Sequence, residues 1–581
     1  MITADELLEP LDEQQRAAAT TLTGAVCVLA GAGTGKTRAI THRIAYGVAT
    51  GVYPPKRVMA LTFTARAASE LRTRLAALGA GGVAARTFHA AALAQLNYFW
   101  PRLLGASAPR VLDKKARLVA QAAEILHLKL ETAGLRDAAA EIEFRKTSAL
   151  SVTEYAERAA GVRPMPAGLD MERMVRLQEL YETLKDERRM IDFEDVLLAT
   201  AGMITSEPQV ATEVREQYRF FTVDEYQDVS PAQQSLLDAW LGERSDVCVV
   251  GDASQTIYSF AGARADYLLR FGDRPGGATV LRLEHNYRSV DGVVTAANAL
   301  MAGRRGSLTL TAARRSAEAR EPAVQLRRYA SDADEAAGVA ADIAALIAAG
   351  TRPSTIAILH RINSQSVLLE QALADAKVPV RTRGAVRFFE QPVIRQALML
   401  LRGASVAGLE EPLFKSVSDV LRELGHTHHA PAGPGEQRTR WELLDALATL
   451  GEQAPPGTTL KDFVADLAER AAAQHEPAVE AVTLATLHSA KGLEWPVVFL
   501  VGLTEGLLPI SYATGPTEVE EERRLLYVGV TRARDRLRLS WSAAGPARLG
   551  ERSPSRFLAD LKLPEPATGT SSGRARAVRA G

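Results

Sequence analysis

Cysteine is nearly absent from the sequence, which contains two, Cys27 and Cys248, each in an apolar run typical of a strand. A framework of several disulfides is excluded by this count, and two buried thiols are expected instead. Such thiols fit a reducing cytosol, so we expect a cytoplasmic protein.

The sequence also lacks a long apolar run and an excess of charge of either sign. No stretch of about 18 apolar residues occurs, and the acidic segment from Met1 to Leu11 does not follow the order of a signal peptide. The 69 lysines and arginines are balanced by 69 acidic residues. These absences argue against a membrane protein and against coating of duplex nucleic acid by bulk charge. They allow a local basic groove with stacking aromatic side chains.

A glycine-rich turn follows the first apolar run, in residues 25–37, AVCVLAGAGTGKT. Glycines let backbone N–H groups turn toward a phosphate, and the helix that starts at Lys36 adds partial positive charge there. Lys36 can reach β- and γ-phosphates, and the Thr37 hydroxyl can bind Mg²⁺. The pattern predicts a phosphate-binding loop, with Ala30 where the first glycine usually stands. The alternative is a tight turn without a ligand.

Strands and helices alternate along residues 58–92, which predicts an α/β fold with a parallel sheet. Residues 91–195 instead have helical periodicity, so we predict an inserted helical subdomain. A second apolar strand then ends in Asp224 and Glu225. Such a pair can hold Mg²⁺ and orient an attacking water, although a solvated acidic strand end would read the same.

A third apolar strand leads into residues 251–260, GDASQTIYSF. Gln255 is suitably placed to sense a γ-phosphate. Tyr258 and Phe260 are aromatic residues in a polar loop, and they are either stacking residues or buried anchors.

The order of these motifs resembles the UvrD, PcrA and Rep group of superfamily 1A DNA helicases. Three downstream segments agree: 283–289, LEHNYRS; 486–494, TLHSAKGLE; and 521–533, EERRLLYVGVTRA. The resemblance covers roughly residues 8–560. It implies two RecA-like parallel-sheet cores with ATP between them, each core with a helical insertion.

The resemblance also implies the domain boundaries. The predicted parts are a first core (1–92 and 196–283), its insertion (93–195), a second core (284–403 and 480–563), a reduced second insertion (404–479) and a disordered tail (564–581). The short second insertion resembles the second UvrD-type paralogue of actinobacteria. Those proteins often continue into a zinc motif and a small nucleic-acid-binding domain, so we expect this chain to be a shortened form.

By resemblance, ATP and Mg²⁺ are the cofactors. Gln15 reads adenine, Tyr287 stacks on it, Arg38 flanks it and Glu494 binds the ribose. The phosphates and metal are held by Ala32, Gly33, Thr34, Gly35, Lys36, Thr37 and Asp224. Glu225 is the base, Gln255 senses the γ-phosphate, and Arg288 and Arg532 act as arginine fingers. The alternative for each of these two arginines is a surface salt bridge.

The resemblance places single-stranded DNA across both cores. The expected contacts are stacking on Phe63, Phe193, Tyr258, Phe260 and Phe557, and backbone contacts from Thr64, His89 and His488. Each aromatic alone could instead be a core residue. Phe260 stands where relatives usually have Trp, Ala65 where they have Asn, and Ala261 where they have Arg, so a weaker grip on the strand is expected.

The resemblance implies a 3′-to-5′ DNA helicase in repair, recombination or replication restart, associated with the nucleoid in a bacterial cytoplasm. Its partners would be single-stranded DNA, 3′-tailed duplex DNA and repair or replication proteins. The alternative is a single-strand-dependent ATPase and translocase that displaces proteins and unwinds poorly alone. A DNA-binding switch that does not hydrolyse ATP is disfavoured by the complete hydrolytic set of residues.

Overall fold

The computed structural model describes residues 2–130, 132–159, 165–166, 169–315, 322–383, 389, 391–406, 412–427, 436–452, 454–455, 457–473, 480–544, 551–561, 563 and 567–568. The chain divides into two compact units, Met1–Glu284 and His285–Gly581. None of the helices described in these ranges has the length and apolar character needed to cross a membrane.

The first unit alternates strands and helices along most of its length. Its strands are β1 (Ala25–Ala30), β2 (Val58–Thr62), β3 (Ala84–Thr87), β4 (Arg110–Val111), β5 (Met190–Ile191), β6 (Phe220–Val223), β7 (Val247–Gly251) and β8 (Thr279–Leu283). Its helices are α1 (Ala4–Leu8), α2 (Glu13–Thr20), α3 (Lys36–Ala49), α4 (Ala65–Ala77), α5 (Phe88–Leu104), α6 (Lys115–Ile125), α7 (Thr132–Thr147), α8 (Val152–Ala159), α9 (Met171–Glu187), α10 (Phe193–Ser206), α11 (Pro208–Gln217), α12 (Pro231–Leu241) and α13 (Asp266–Leu269).

The main sheet of the first unit has the strand order β3-β2-β6-β7-β1-β8, with every pair parallel. Strands β2, β6 and β7 are buried along their whole length, as apolar runs in a sheet covered on both faces must be. Because β6, β7 and β1 are neighbours, the loops that follow them leave the same edge side by side. The predicted parallel α/β fold is confirmed.

The predicted helical insertion has a hydrophobic core of its own, formed mainly by α6, α7 and α9 and including Leu118, Ile142 and Tyr181. Its edges, however, do not fall in loops. The predicted boundaries at 92/93 and 195/196 lie inside α5 and α10. Both helices pack in the core cluster of the sheet, whereas the core cluster of the insertion is formed by residues between Leu112 and Leu184. The two helices therefore belong to the first core.

The second unit contains another parallel sheet, with the strand order β13-β14-β12-β15-β16-β11-β17. Its strands are β9 (His285–Val290), β10 (Thr311–Arg314), β11 (Val324–Ser331), β12 (Ile356–His360), β13 (Val380–Arg383), β14 (Val482–Thr486), β15 (Trp495–Leu500), β16 (Ala533–Ala544) and β17 (Ala567–Thr568). Its helices are α14 (Asp291–Met301), α15 (Asp332–Ala348), α16 (Ser366–Asp375), α17 (Pro392–Val406), α18 (Leu413–Glu423), α19 (Glu436–Glu452), α20 (Leu460–Ala473), α21 (Pro516–Val530) and α22 (Phe557–Asp560).

Helices α17, α18, α19 and α20 share one apolar core, which includes Ile394, Leu421, Leu447 and Leu467. This group corresponds to the predicted reduced insertion, but α17 begins at Pro392, before the predicted start at residue 404.

The predicted disordered tail needs a correction at two residues. Ala567–Thr568 form β17 and pair in parallel with β11. The edge of β11 offers unpaired backbone groups, which an extended segment can satisfy whatever its side chains are. The other tail residues, 564–566 and 569–581, lie outside the described residues.

Candidate functional site

The glycine-rich turn between β1 and α3 is shaped by glycines with positive φ and by a side-chain hydrogen bond to its own backbone. Gly33 and Gly35 have φ values of 70° and 78°, in the region that favours glycine. Thr34 is buried, and its hydroxyl donates to the Gly31 carbonyl at 2.9 Å. Helix α3 begins at Lys36, and the amides of a first helical turn have no acceptor within the helix. The loop therefore offers backbone donors and the Lys36 ammonium to an anion.

Gln15, predicted to read adenine, lies buried against this loop. Its Nε2 donates to the Thr34 carbonyl at 2.9 Å. A Cβ added at Gly35 would lie 2.6 Å from that same nitrogen, so the close approach requires glycine at this position. Gln15 thus braces the loop, and adenine recognition by its remaining oxygen stays a prediction. Arg38, the predicted flanking residue, is exposed in the first turn of α3.

The acidic pair follows β6 directly. The Asp224 backbone N–H donates to the Leu61 carbonyl at 2.9 Å, and the Asp224 carboxylate accepts from the Glu225 N–H at 3.0 Å. Glu225 has φ 52° and ψ 38°, a left-handed conformation that costs a non-glycine residue about 1–3 kcal/mol. Its Oε1 lies 3.9 Å from Lys36 Nζ. The structure therefore brings the loop lysine and the acidic pair together.

A buried glutamine, for which the sequence suggested no role, connects the carboxylates to the loop after β7. Gln227 Nε2 donates to Glu225 Oε2 at 2.5 Å, and its Oε1 accepts from the Asp252 N–H at 3.0 Å. Gln255 Nε2 in turn donates to Asp252 Oδ2 at 2.7 Å. A Cβ added at Gly251 would lie 2.5 Å from Gln227 Oε1. In the sequence Gln227 stands two residues after Glu225. Its contact with the loop after β7 depends on β6 and β7 being neighbours, which the sequence does not show.

Asp252 is buried next to the predicted γ-phosphate sensor. Burial raises its pKa, and the nearby Lys36 charge and the hydrogen bond from Gln255 offset that effect only in part. Asp252 joins the predicted sensor Gln255 to Gln227 through hydrogen bonds of its carboxylate and its backbone N–H.

In the second unit, Glu494 lies between two arginines. The Arg288 Nε donates to Glu494 Oε2, and Arg534 lies 3.5 Å from Glu494 Oε1. Arg288 also donates to the Thr531 carbonyl at 3.2 Å. The predicted ribose ligand and one predicted arginine finger are therefore paired with each other. Tyr287, the predicted adenine-stacking residue, is partly exposed on β9.

Arg532, the other predicted finger, is buried within the second unit. Its Nε donates to the Val528 carbonyl at 2.9 Å, and one terminal nitrogen donates to the Leu493 carbonyl at 3.0 Å. The second terminal nitrogen donates to the Thr531 hydroxyl at 3.0 Å. A surface salt bridge, the alternative for this residue, is excluded by its burial. Its action on phosphate stays a prediction.

Two aromatic pairs lie at or beyond the carboxyl edge of the first sheet. His89 and Phe193 stack with ring centroids 3.9 Å apart, and 54% of Phe193 is exposed. Tyr258 and Phe260 meet edge to face with centroids 6.2 Å apart, and 59% of Phe260 is exposed. Such exposure is unusual for core aromatics, so the alternative of a buried anchor fails for Phe193 and Phe260.

Phe63 and Thr64 follow β2 at this edge. Phe63 is half-buried and packs on the core of the sheet. Thr64 is exposed, and its hydroxyl accepts from the Ala67 N–H at 3.1 Å as the cap of α4. Phe63 therefore presents only part of its ring to a ligand.

Burial lowers the pKa of both predicted backbone-contacting histidines to about 4, and nearby Arg361 and Lys491 contribute at His488. Both imidazoles are therefore neutral near pH 7. Any contact they make with a phosphate is a hydrogen bond without a full charge.

Family models match both units. The model of the UvrD/REP helicase N-terminal domain matches residues 11–275, and that of the UvrD-like helicase C-terminal domain matches residues 281–406 and 412–544. The chain belongs to the UvrD/Rep helicase family. The family resemblance expected from the sequence is thereby confirmed.

Individual relatives of the helicase family match over nearly the whole chain. The ATP-dependent DNA helicase UvrD2 of Mycobacterium tuberculosis is 47% identical over 98% of this chain and 84% of its own length. DNA helicase II of Escherichia coli is 30% identical over 96% of this chain and 88% of its own length. The ATP-dependent DNA helicase PcrA of Leuconostoc citreum is 28% identical over 96% of this chain and 86% of its own length.

One predicted DNA contact of this helicase-family chain lies in an unexpected environment. Phe557 is fully buried at the start of α22, with the Arg523 guanidinium 4.7 Å from its ring centroid. That burial argues against base stacking by Phe557, because a base needs an open ring face. An isolated aromatic near the end of a sequence gives no signal that separates the two roles.

Gln227→Leu tests the connection between the acidic pair and the loop after β7, which carries the predicted sensor Gln255. We expect turnover to fall about tenfold or more with ATP binding retained, because both amide hydrogen bonds that orient Glu225 and Asp252 are lost. Steady-state hydrolysis with saturating single-stranded DNA measures this. The control is Gln209→Leu at an exposed position. Wild-type turnover in Gln227→Leu would show that the connection does not matter for catalysis.

Proposed function

We propose that this protein, an ATP-dependent DNA helicase by family, couples ATP hydrolysis to 3′-to-5′ movement on single-stranded DNA. The observation that carries the proposal is the edge of the first sheet. There the glycine-rich loop, the acidic pair and Gln255 are connected to a loop that bears Tyr258 and the exposed Phe260. Repair, recombination or replication restart in the bacterial cytoplasm is the setting we propose.

In the proposed reaction, Lys36 and the amides of the loop bind the phosphates, while Gln255 contacts the γ-phosphate. Glu225 takes the proton of the attacking water. Thr37 and Asp224 would hold Mg²⁺, which supplies charge to the phosphate oxygens. No group of three or more His, Cys or acidic side chains in the described ranges can hold a metal ion. The nucleotide and water would therefore complete its shell.

Arg288 and Arg532 are proposed to stabilise the charge on the transferred phosphoryl group. Arg288 is paired with Glu494, and Arg532 with backbone carbonyls. A ribose hydroxyl bound to Glu494 would compete with Arg288 for that carboxylate.

The proposed DNA contacts are base stacking on Phe193, Tyr258 and Phe260 and a smaller contact with Phe63. Each base stacked on an aromatic ring contributes about 1–3 kcal/mol and shows little sequence preference. The neutral rings of His89 and His488 would donate hydrogen bonds to the backbone. The exposed rings of Phe193 and Phe260 in the first unit support a single strand as the ligand, since the bases of a duplex are already stacked.

The deciding experiment measures ATP hydrolysis with and without single-stranded DNA, together with strand separation on 3′-tailed and 5′-tailed duplexes. Stimulated hydrolysis and unwinding of the 3′-tailed duplex support the proposal. Stimulation without unwinding of either duplex indicates a translocase. The absence of stimulation by DNA would overturn the assignment of the aromatic residues.

Phe260→Ala is expected to weaken binding of a single-stranded oligonucleotide about 5- to 150-fold, which corresponds to the 1–3 kcal/mol of one stacked base. Fluorescence anisotropy of a labelled oligothymidylate measures the change. ATP hydrolysis without DNA should be unaffected. Tyr98→Ala, which removes another exposed aromatic of the same unit, serves as the control. Equal loss of affinity in both variants would show that Phe260 has no special role.

A further inference from the structure

The end of helix α7 in the insertion contacts both segments that carry exposed aromatics. Its last two residues are Lys146 and Thr147. Lys146 contacts the start of α10, where Phe193 lies, and Thr147 contacts the turn that contains Phe260. Consecutive Cα atoms are about 3.8 Å apart, so both aromatic segments are anchored at nearly one point.

The Lys146 contact fixes the first turn of α10. Its Nζ lies 2.7 Å from Asp192 Oδ2 and 2.6 Å from Asp195 Oδ1. These two aspartates form the capping box of α10, whose first residue is Phe193. Lys185 Nζ also contacts both, at 3.3 Å from Asp192 Oδ2. The exposed Phe193 is therefore held by a helix start that is locked by two buried ammonium groups.

The charges in this buried cluster stabilise one another. Burial alone would raise the pKa of Asp192, but Lys146, Lys185 and Lys115 outweigh it and hold the pKa well below its usual range. Burial alone would likewise lower the pKa of Lys185, and the surrounding carboxylates raise it instead. The cluster therefore stays ionised, and removing one member would leave an uncompensated buried charge.

The Thr147 contact fixes the Phe260 turn. Its Oγ1 lies 3.0 Å from the Ala261 carbonyl, next to Phe260, and also 2.8 Å from the Glu143 carbonyl of its own helix. The single hydroxyl hydrogen is shared between these acceptors. A Cβ added at Gly262 would lie 2.9 Å from Thr147 Oγ1. The end of α7 and the Phe260 turn are therefore joined by a hydrogen bond and also packed in close contact at Gly262.

We propose that Lys146 and Thr147 are positioning residues that set the spacing between Phe193 and Phe260, so that one DNA strand stacks on both. This inference rests on the proposed function. The insertion takes part in DNA binding through this connection, without having to touch the strand. The Phe260 turn also follows the Gln255 loop in the chain, so DNA held at the correct spacing would act on the nucleotide site.

Thr147→Val tests the proposal, since it keeps the shape of the side chain and removes the hydroxyl, whereas a Lys146 variant risks unfolding. We expect affinity for labelled oligothymidylate to fall about three- to tenfold, the factor that one hydrogen bond is worth. The DNA concentration for half-maximal ATPase stimulation should rise equally, with unchanged kcat at saturating DNA and unchanged hydrolysis without DNA.

Two further variants separate positioning from a general structural effect. Thr147→Ser retains the hydroxyl and should bind DNA as the wild type does. Thr183→Val removes a hydroxyl that donates to its own helix at 3.0 Å and should change nothing. Equal affinities of Thr147→Val and wild type, or equal losses in the Val and Ser variants, would overturn the proposal.

A double-mutant cycle with Phe260→Ala completes the test. If Thr147 acts through Phe260, the double variant binds DNA no more weakly than Phe260→Ala alone. Independent, additive losses would overturn the proposal and leave the stacking role of Phe260 intact. Wild-type binding by Phe260→Ala would instead remove the assigned role of Phe260 in the proposed function.

Discussion

Lys36→Ala is expected to reduce ATP hydrolysis about a hundred- to thousandfold or more, because the ammonium group meets the charge that develops on the phosphates. The fold should survive, since the Lys36 ammonium lies 3.9 Å from the Glu225 carboxylate and loss of such a distant ion pair costs little stability. Steady-state hydrolysis at saturating single-stranded DNA measures the effect, and thermal unfolding checks the fold.

Lys56→Ala is the matched control for this variant, since Lys56 is an exposed lysine of the same unit. Its hydrolysis rate should equal that of the wild type. A rate near wild type in Lys36→Ala, with the protein folded, would mean that the glycine-rich loop is not the phosphate site.

Glu225→Gln is expected to slow turnover about 10²- to 10⁴-fold, which is the usual contribution of a general base. ATP and DNA should still bind, because glutamine has nearly the same shape and removes a negative charge from beside the phosphates. Its amide oxygen can still accept the hydrogen bond from Gln227. Single-turnover hydrolysis and binding of a fluorescent ATP analogue measure the two properties separately.

The control for Glu225→Gln is Glu216→Gln, at an exposed position on the same unit, which should leave turnover unchanged. Loss of ATP binding together with turnover in Glu225→Gln would assign this carboxylate to nucleotide or metal binding. Unchanged turnover would leave the reaction without its base.

Much of the fold was predictable because its signals are local. The apolar strands before Gly31, Asp224 and Asp252 are short runs bounded by glycine or acidic residues, and such runs predict buried parallel strands. The structure confirms the parallel α/β fold. The domain boundaries were harder to predict from the sequence. α5 and α17 run through two of the predicted boundaries, and helical periodicity shows that a face is apolar but not which core it packs against.

The candidate site was predictable where a residue belongs to a motif and less so where its role depends on packing. Lys36 and Glu225 carry chemistry at positions set by the turns that hold them. Gln227 gains its role from the neighbouring strand β7, and Phe557 is distinguished from an exposed aromatic only by burial. Such three-dimensional relations leave no trace in the spacing of residues along the chain.

The continuity of α5 and α10 across the edge of the insertion has a practical consequence. Helix α5 is 17 residues long, about 26 Å at the usual rise, and it starts at the aromatic edge of the sheet. The insertion is therefore connected to the sheet through two helices that pack in the core of the sheet, and not through flexible linkers. A deletion between 92/93 and 195/196 would truncate α5 and α10 and expose apolar core residues to solvent. An excision that spares the core has to be placed beyond Leu104 and before Phe193.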